Sequence, residues 1–121
     1  MSERSSLAYA QSLDQTLELW TSAREFAADT PLSKKFEDAI ERFTLLRNAV
    51  ATWKVVGPQQ RHQQSFLTLI DDSILWVKAM RDGGDVEAAE ADVDESLRSV
   101  ITEVSRLLDD VRRRKAADPE A

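Results

Sequence analysis

The apolar residues of this chain recur at alternating steps of three and four, the spacing that lines one face of an α-helix. Four segments carry the rhythm. In the first, about residues 6–28, Leu13, Leu17, Trp20 and Ala27 follow it, with Ala10 upstream. The second, about 31–56, is the most regular. Leu32, Phe36, Ala39, Phe43, Leu46, Val50 and Trp53 form a heptad seam without a miss, and Ile40 widens it. In the third, Phe66, Ile70, Val77 and Met80 keep the seam with Ser73 as its one polar member, flanked by Leu67, Leu69, Ile74 and Trp76. Its start lies at residue 58 or at residue 65, because Gln59-Gln60-Arg61-His62-Gln63-Gln64 suits either a loop or two helical turns. The fourth, about 86–115, places Val86, Val93, Leu97, Val100, Val104, Leu107 and Val111 on the seam. It misses only at Glu90, and Ile101 and Leu108 broaden it. At 1.5 Å per residue this helix would be ~45 Å long.

Between the segments stand residues that stop helices. Asp29-Thr30-Pro31 ends the first, with Thr30 suited to cap the second and Pro31 to its first turn, where no N–H is needed. Gly57-Pro58 closes the second, the glycine being free to take a left-handed cap conformation. Asp82-Gly83-Gly84-Asp85 reads as turn and cap together. Three short connections favour antiparallel neighbours. The expected fold is therefore all-α: a four-helix up-down-up-down antiparallel bundle, one domain over residues 1–121, with a frayed tail at 116–121. The one alternative is a kink at Gly57-Pro58 within a longer helix, which would exchange segments between two chains of a dimer.

Composition narrows the chemistry. With only three Gly and three Pro, turns are too sparse for an all-β domain. No cysteine is present, which removes disulfides, thiolate metal sites and cysteine nucleophiles. No basic start followed by an apolar run opens the chain, so no signal peptide is expected. The longest apolar-rich stretch, Phe66 to Met80, is interrupted by Asp71, Asp72, Ser73 and Lys78, so no membrane span is expected and the cytoplasm is the default location. The net charge of −6 argues against nucleic acid as main partner. It is unevenly spread: Asp82, Asp85, Glu87, Glu90, Asp92, Asp94 and Glu95 crowd together, while Arg112-Arg113-Arg114-Lys115 ends the last segment. Acids at a helix start and bases at its end complement the helix dipole.

Candidate catalytic residues fail one by one. His62 is the only histidine, and residue 59 is Gln, so the Glu-x-x-His pair of di-iron bundles is absent. Phosphorelay domains of similar length carry Lys and Gly after their histidine, where this chain has Gln63-Gln64-Ser65-Phe66. Arg47-Asn48 invites comparison with small helical ribonucleases, but the positions that should supply their histidine hold Thr52, Trp53 and Lys54. The acidic pairs Glu37/Glu41, Asp71/Asp72 and Asp109/Asp110 fall away from the seams and read as solvated faces. No catalytic residue, metal or cofactor is therefore expected, and the chain is read as non-enzymatic.

One feature exceeds what a closed bundle needs. Phe26, Leu45, Val55 and Leu75 sit off the seams, and Leu45, Ala49, Thr52 and Val56 form a second stripe. Together with Leu75 and Trp76 they make a candidate interaction surface, since contiguous exposed apolar patches mark interfaces. The expected function is a protein–protein interaction module, an adaptor, regulator or chaperone-like protein that self-associates as a homodimer. The alternative is a bundle whose Trp and Phe residues line a cavity for a small apolar ligand.

Overall fold

A computed structural model of the chain describes residues 3–55, 57 and 59–117. Among these residues every regular element is helical: α1 (Glu3–Ala28), the single turn α2 (Thr30–Ser33), α3 (Phe36–Ala51), α4 (Gln59–Asp82) and α5 (Val86–Ala117). The seams are what the long helices bury. Leu13, Trp20 and Ala27 from α1, Ala39, Phe43 and Val50 from α3, Phe66, Ile70 and Val77 from α4, and Val93, Val100 and Val104 from α5 join one buried cluster. Covering a side chain of Val, Leu or Phe size is worth about 1.5–3 kcal/mol. An exposed ion pair contributes about 0–1 kcal/mol. The cluster therefore dominates stability, and the polar ties mainly set register.

Those ties record which helices meet, and in what order. α4 packs against both α3 and α5, and α1 against α3 and α5. Arg47 pairs with Asp71, while Glu37, earlier on α3, pairs with Arg81, later on α4. Ser65 pairs with Glu103, and Asp72, later on α4, pairs with Ser96, earlier on α5. Across the core, Tyr9 meets His62 and Trp20 meets Ser73, both partners lying 53 residues on.

The caps between α4 and α5 follow the sequence reading. Gly83 adopts a left-handed φ of 75°, and the Gly84 N–H donates to the Ala79 carbonyl at 2.9 Å, closing a Schellman turn. The Asp85 carboxylate then accepts from the Ala88 N–H at 3.0 Å, capping α5. Gly57 is also left-handed.

Three sequence expectations need correction. The second segment is not one helix from 31 to 56. It breaks at Lys34 (φ 59°), whose N–H donates back to Thr30 at 2.7 Å and closes α2 as a separate turn. Leu32 consequently leaves the seam and is 90% exposed, and Trp53 falls beyond the end of α3. Thr30 does not cap with its side chain; its hydroxyl donates to the Ala27 carbonyl in a fully buried corner. Ile101, expected to broaden the fourth seam, is exposed because the α5 arc facing α1 and α4 stops short of it. The polar stretch Gln59–Gln64, open between loop and helix, is helical. Of the expected tail, Ala116 and Ala117 are helical and 118–121 lie outside the described residues.

Candidate functional site

The expected interaction stripe divides. Leu45, Ala49 and Thr52 are exposed, Leu45 at 62%, and Leu75 is exposed on α4 at 59%. Val56 lies outside the described residues. Trp76 is buried, so it offers no surface; α4 has neighbours on two sides and buries a wider arc than a heptad seam describes. Its indole N–H has no partner among the described residues.

Helical phase shows where the remaining residues point. Arg42, Leu45 and Ala49 are three and four apart and share one flank of α3. The Arg42 guanidinium lies 3.9 Å over the Phe26 ring, so this flank adjoins α1. Arg47, which donates to Asp71 at 2.6 Å, marks the other flank, beside α4. Leu45 and Ala49 thus belong with α1 rather than with Leu75. On α1 the matching flank carries Leu19, seven residues before Phe26 and 62% exposed. Sequence reasoning missed Leu19. It lies beside the Leu13–Trp20 row, and its seven-residue spacing to Phe26 was the available signal. Phe26 itself, expected to face solvent, is half-buried beneath Arg42 and packs against the core, and Val55 is half-buried too.

The acidic pairs are not all solvated faces. Asp71 and Asp72 are both half-buried: Asp71 accepts from Arg47 of α3, and Asp72 accepts from the Ser96 hydroxyl of α5. Adjacent residues on a helix point about 100° apart, so one pair reaches both neighbours. Glu37 accepts from Arg81 at 2.6 Å, and Arg81 also donates to Asp82 at 2.9 Å. That hydrogen bond holds the Asp82 carboxyl below its ordinary range, and bonds to Asp82 and Glu37 raise the Arg81 guanidinium further. Asp109 and Asp110 pair with Arg112 and Arg113 along the exposed face of α5, at 3.8 and 3.4 Å.

His62 is half-buried and held. Its Nδ1 and the Tyr9 hydroxyl are hydrogen-bonded at 2.8 Å, with ring centroids 5.8 Å apart. With the neutral ring's proton on Nε2, the phenol donates. Burial, and after it the charge of Glu103, hold the Tyr9 phenol above its ordinary value. Next to His62, Gln63 donates through Nε2 to the Val50 carbonyl at 3.0 Å and to the Trp53 carbonyl at 3.4 Å, satisfying the open end of α3. These two contacts give the polar start of α4 its reason to be helical.

The core aromatic residues fill space instead of lining it: Trp20, Phe43 and Phe66 are at most 1% exposed and pack within the cluster. Among the described residues no group of three or more His, Cys, Asp or Glu could hold a metal ion, and no helix is long and apolar enough to cross a membrane. Comparison with known protein families, curated proteins and solved structures finds no match.

Proposed function

We propose that the chain is a non-enzymatic interaction module, a single-domain up-down-up-down four-helix bundle that pairs with a second copy of itself through the outer face of α1 and α3. The contact order supports the topology. Steps backward along α3 match steps forward along α4, and likewise for α4 and α5. The constant offset of 53 between α1 and α4 fits two helices pointing the same way across the core.

The observation that carries the function is the pair Leu19 and Leu45, each 62% exposed, on the two flanks that Arg42 and Phe26 bring together. Both would lose apolar surface to water-free contact, at about 25 cal/mol per Å² covered. In the proposed topology α1 and α3 run in opposite senses, so the groove between them has an approximate two-fold axis. A second copy turned by half a rotation offers the same leucines in return, as a closed isologous dimer requires.

Sedimentation velocity across the micromolar range tests this. The chain should sediment as a dimer, Leu45→Glu and Leu19→Glu as monomers, and Leu75→Glu, on a different face, as a dimer. A wild-type monomer throughout the range would overturn the reading.

A further inference from the structure

Where the start of α1 meets the segment after α3, Tyr9, Ser12, Trp53, Lys54, Val55 and Gln59 line an open-sided cleft of about 240 Å³. Its two aromatic walls are held in place from behind. His62 fixes the Tyr9 hydroxyl at 2.8 Å. Phe66 meets the Trp53 ring edge-on at a centroid distance of 5.7 Å, and the Gln63 amide holds the Trp53 carbonyl. Preorganised walls lower the ordering cost of binding.

We propose that this cleft binds a small planar carboxylate, one aromatic ring bearing a single acid group. Size sets the first limit: the volume exceeds the ~150 Å³ that accommodates benzene and falls short of the ~300 Å³ at which drug-sized pockets begin. Lining chemistry sets the second, because two aromatic residues, Tyr9 and Trp53, and the aliphatic Val55 border the cleft. Charge sets the third. Lys54 is the only charged residue among those lining the cleft. Its ammonium favours an anion over the quaternary ammonium ion that a Tyr–Trp pair would otherwise suit. Gln59 and Ser12 complete a polar rim. Ser12 lies seven residues before Leu19 on the same flank of α1, so the cleft continues the α1–α3 groove, but neither Leu19 nor Leu45 is among its lining residues.

The test is an NMR titration that follows the Trp53 indole N–H, identified by its loss in Trp53→Phe. Benzoate should produce a saturable shift of this signal, with benzyl alcohol and benzyltrimethylammonium at least about tenfold weaker, the loss expected for one charge-assisted hydrogen bond. Lys54→Met should weaken benzoate by a similar factor, and Leu45→Glu should leave it unchanged. No saturable shift with benzoate, equal affinity in Lys54→Met, or preference for the ammonium ion would each overturn the proposal.

Discussion

The Trp20 indole N–H donates to the Ser73 hydroxyl at 2.9 Å in the middle of the core, and Ser73 in turn donates to the Leu69 carbonyl at 2.7 Å. The one polar residue on the third seam is therefore fully used. It gives the α1–α4 diagonal a specific register that apolar packing alone would leave free to slide.

Trp20 and Trp76 make a natural comparison, since both are buried but only Trp20 has a partner for its N–H. Trp20→Phe and Trp76→Phe remove the same volume, so the cavity cost is similar and the hydrogen bond accounts for the difference. Urea denaturation should show Trp20→Phe as more destabilising by ~1–2 kcal/mol, and Ser73→Ala should cost ~1–3 kcal/mol by orphaning the Trp20 donor. Equal losses in the two Phe variants would contradict the assigned bond.

The seams were legible in the sequence because heptad spacing survives any choice of partner; Leu13, Trp20, Phe43, Phe66, Val93 and Val100 are all buried where the rhythm puts them. The break at Lys34-Lys35 was not. No glycine or proline marks it, and the left-handed turn at Lys34 is closed by its backbone bond to Thr30. Nor was the bridging by Asp71 and Asp72, because a helical wheel shows which face is polar without showing which helices flank it. The burial of Trp76 is not legible for the same reason: the wheel of α4 does not show that α3 and α5 flank it on two sides. Of the candidate surface, Leu45 and Ala49 were visible as a stripe, but their companion Leu19 belongs to another helix.

The left-handed positions differ in what occupies them. At Lys34 an L side chain bears strain of roughly 1–2 kcal/mol, offset in part by glycine's greater freedom in the unfolded chain. Lys34→Gly should thus raise stability by up to ~1 kcal/mol, while Gly83→Ala, which imposes that strain afresh, should lower it by ~1 kcal/mol. Thermal and urea unfolding both read the two signs. A loss of stability in Lys34→Gly would contradict the assigned turn.

The Arg47–Asp71 pair is half-exposed on both sides. A double-mutant cycle with Arg47→Met and Asp71→Asn should give a coupling of ~0.2–1 kcal/mol at low salt, shrinking toward zero in 1 M salt, where the screening length falls to about 3 Å. A coupling that ignores salt would mean the pair is more buried than described.

Tyr9 is the only tyrosine, so tyrosinate absorbance reports it alone. Its raised pKa predicts ionisation above the usual value near 10. A phenol raised by folding favours the native state below pH ~10, and that contribution is lost as pH climbs through the folded-state value. Glu103→Gln should move the titration part of the way back, because burial remains. A midpoint at or below 10 in the native protein would contradict the burial assigned to it.

The most direct test of self-association is an isotope-filtered NOE measurement on an equimolar mixture of labelled and unlabelled chains. The proposed dimer places the Leu19 and Leu45 methyls of one copy against α1 and α3 of the other, so cross-chain contacts should appear at those methyls and be lacking at Leu75. Cross-chain contacts centred on Leu75 or Ile101, or none in a sample that sediments as a dimer, would contradict it.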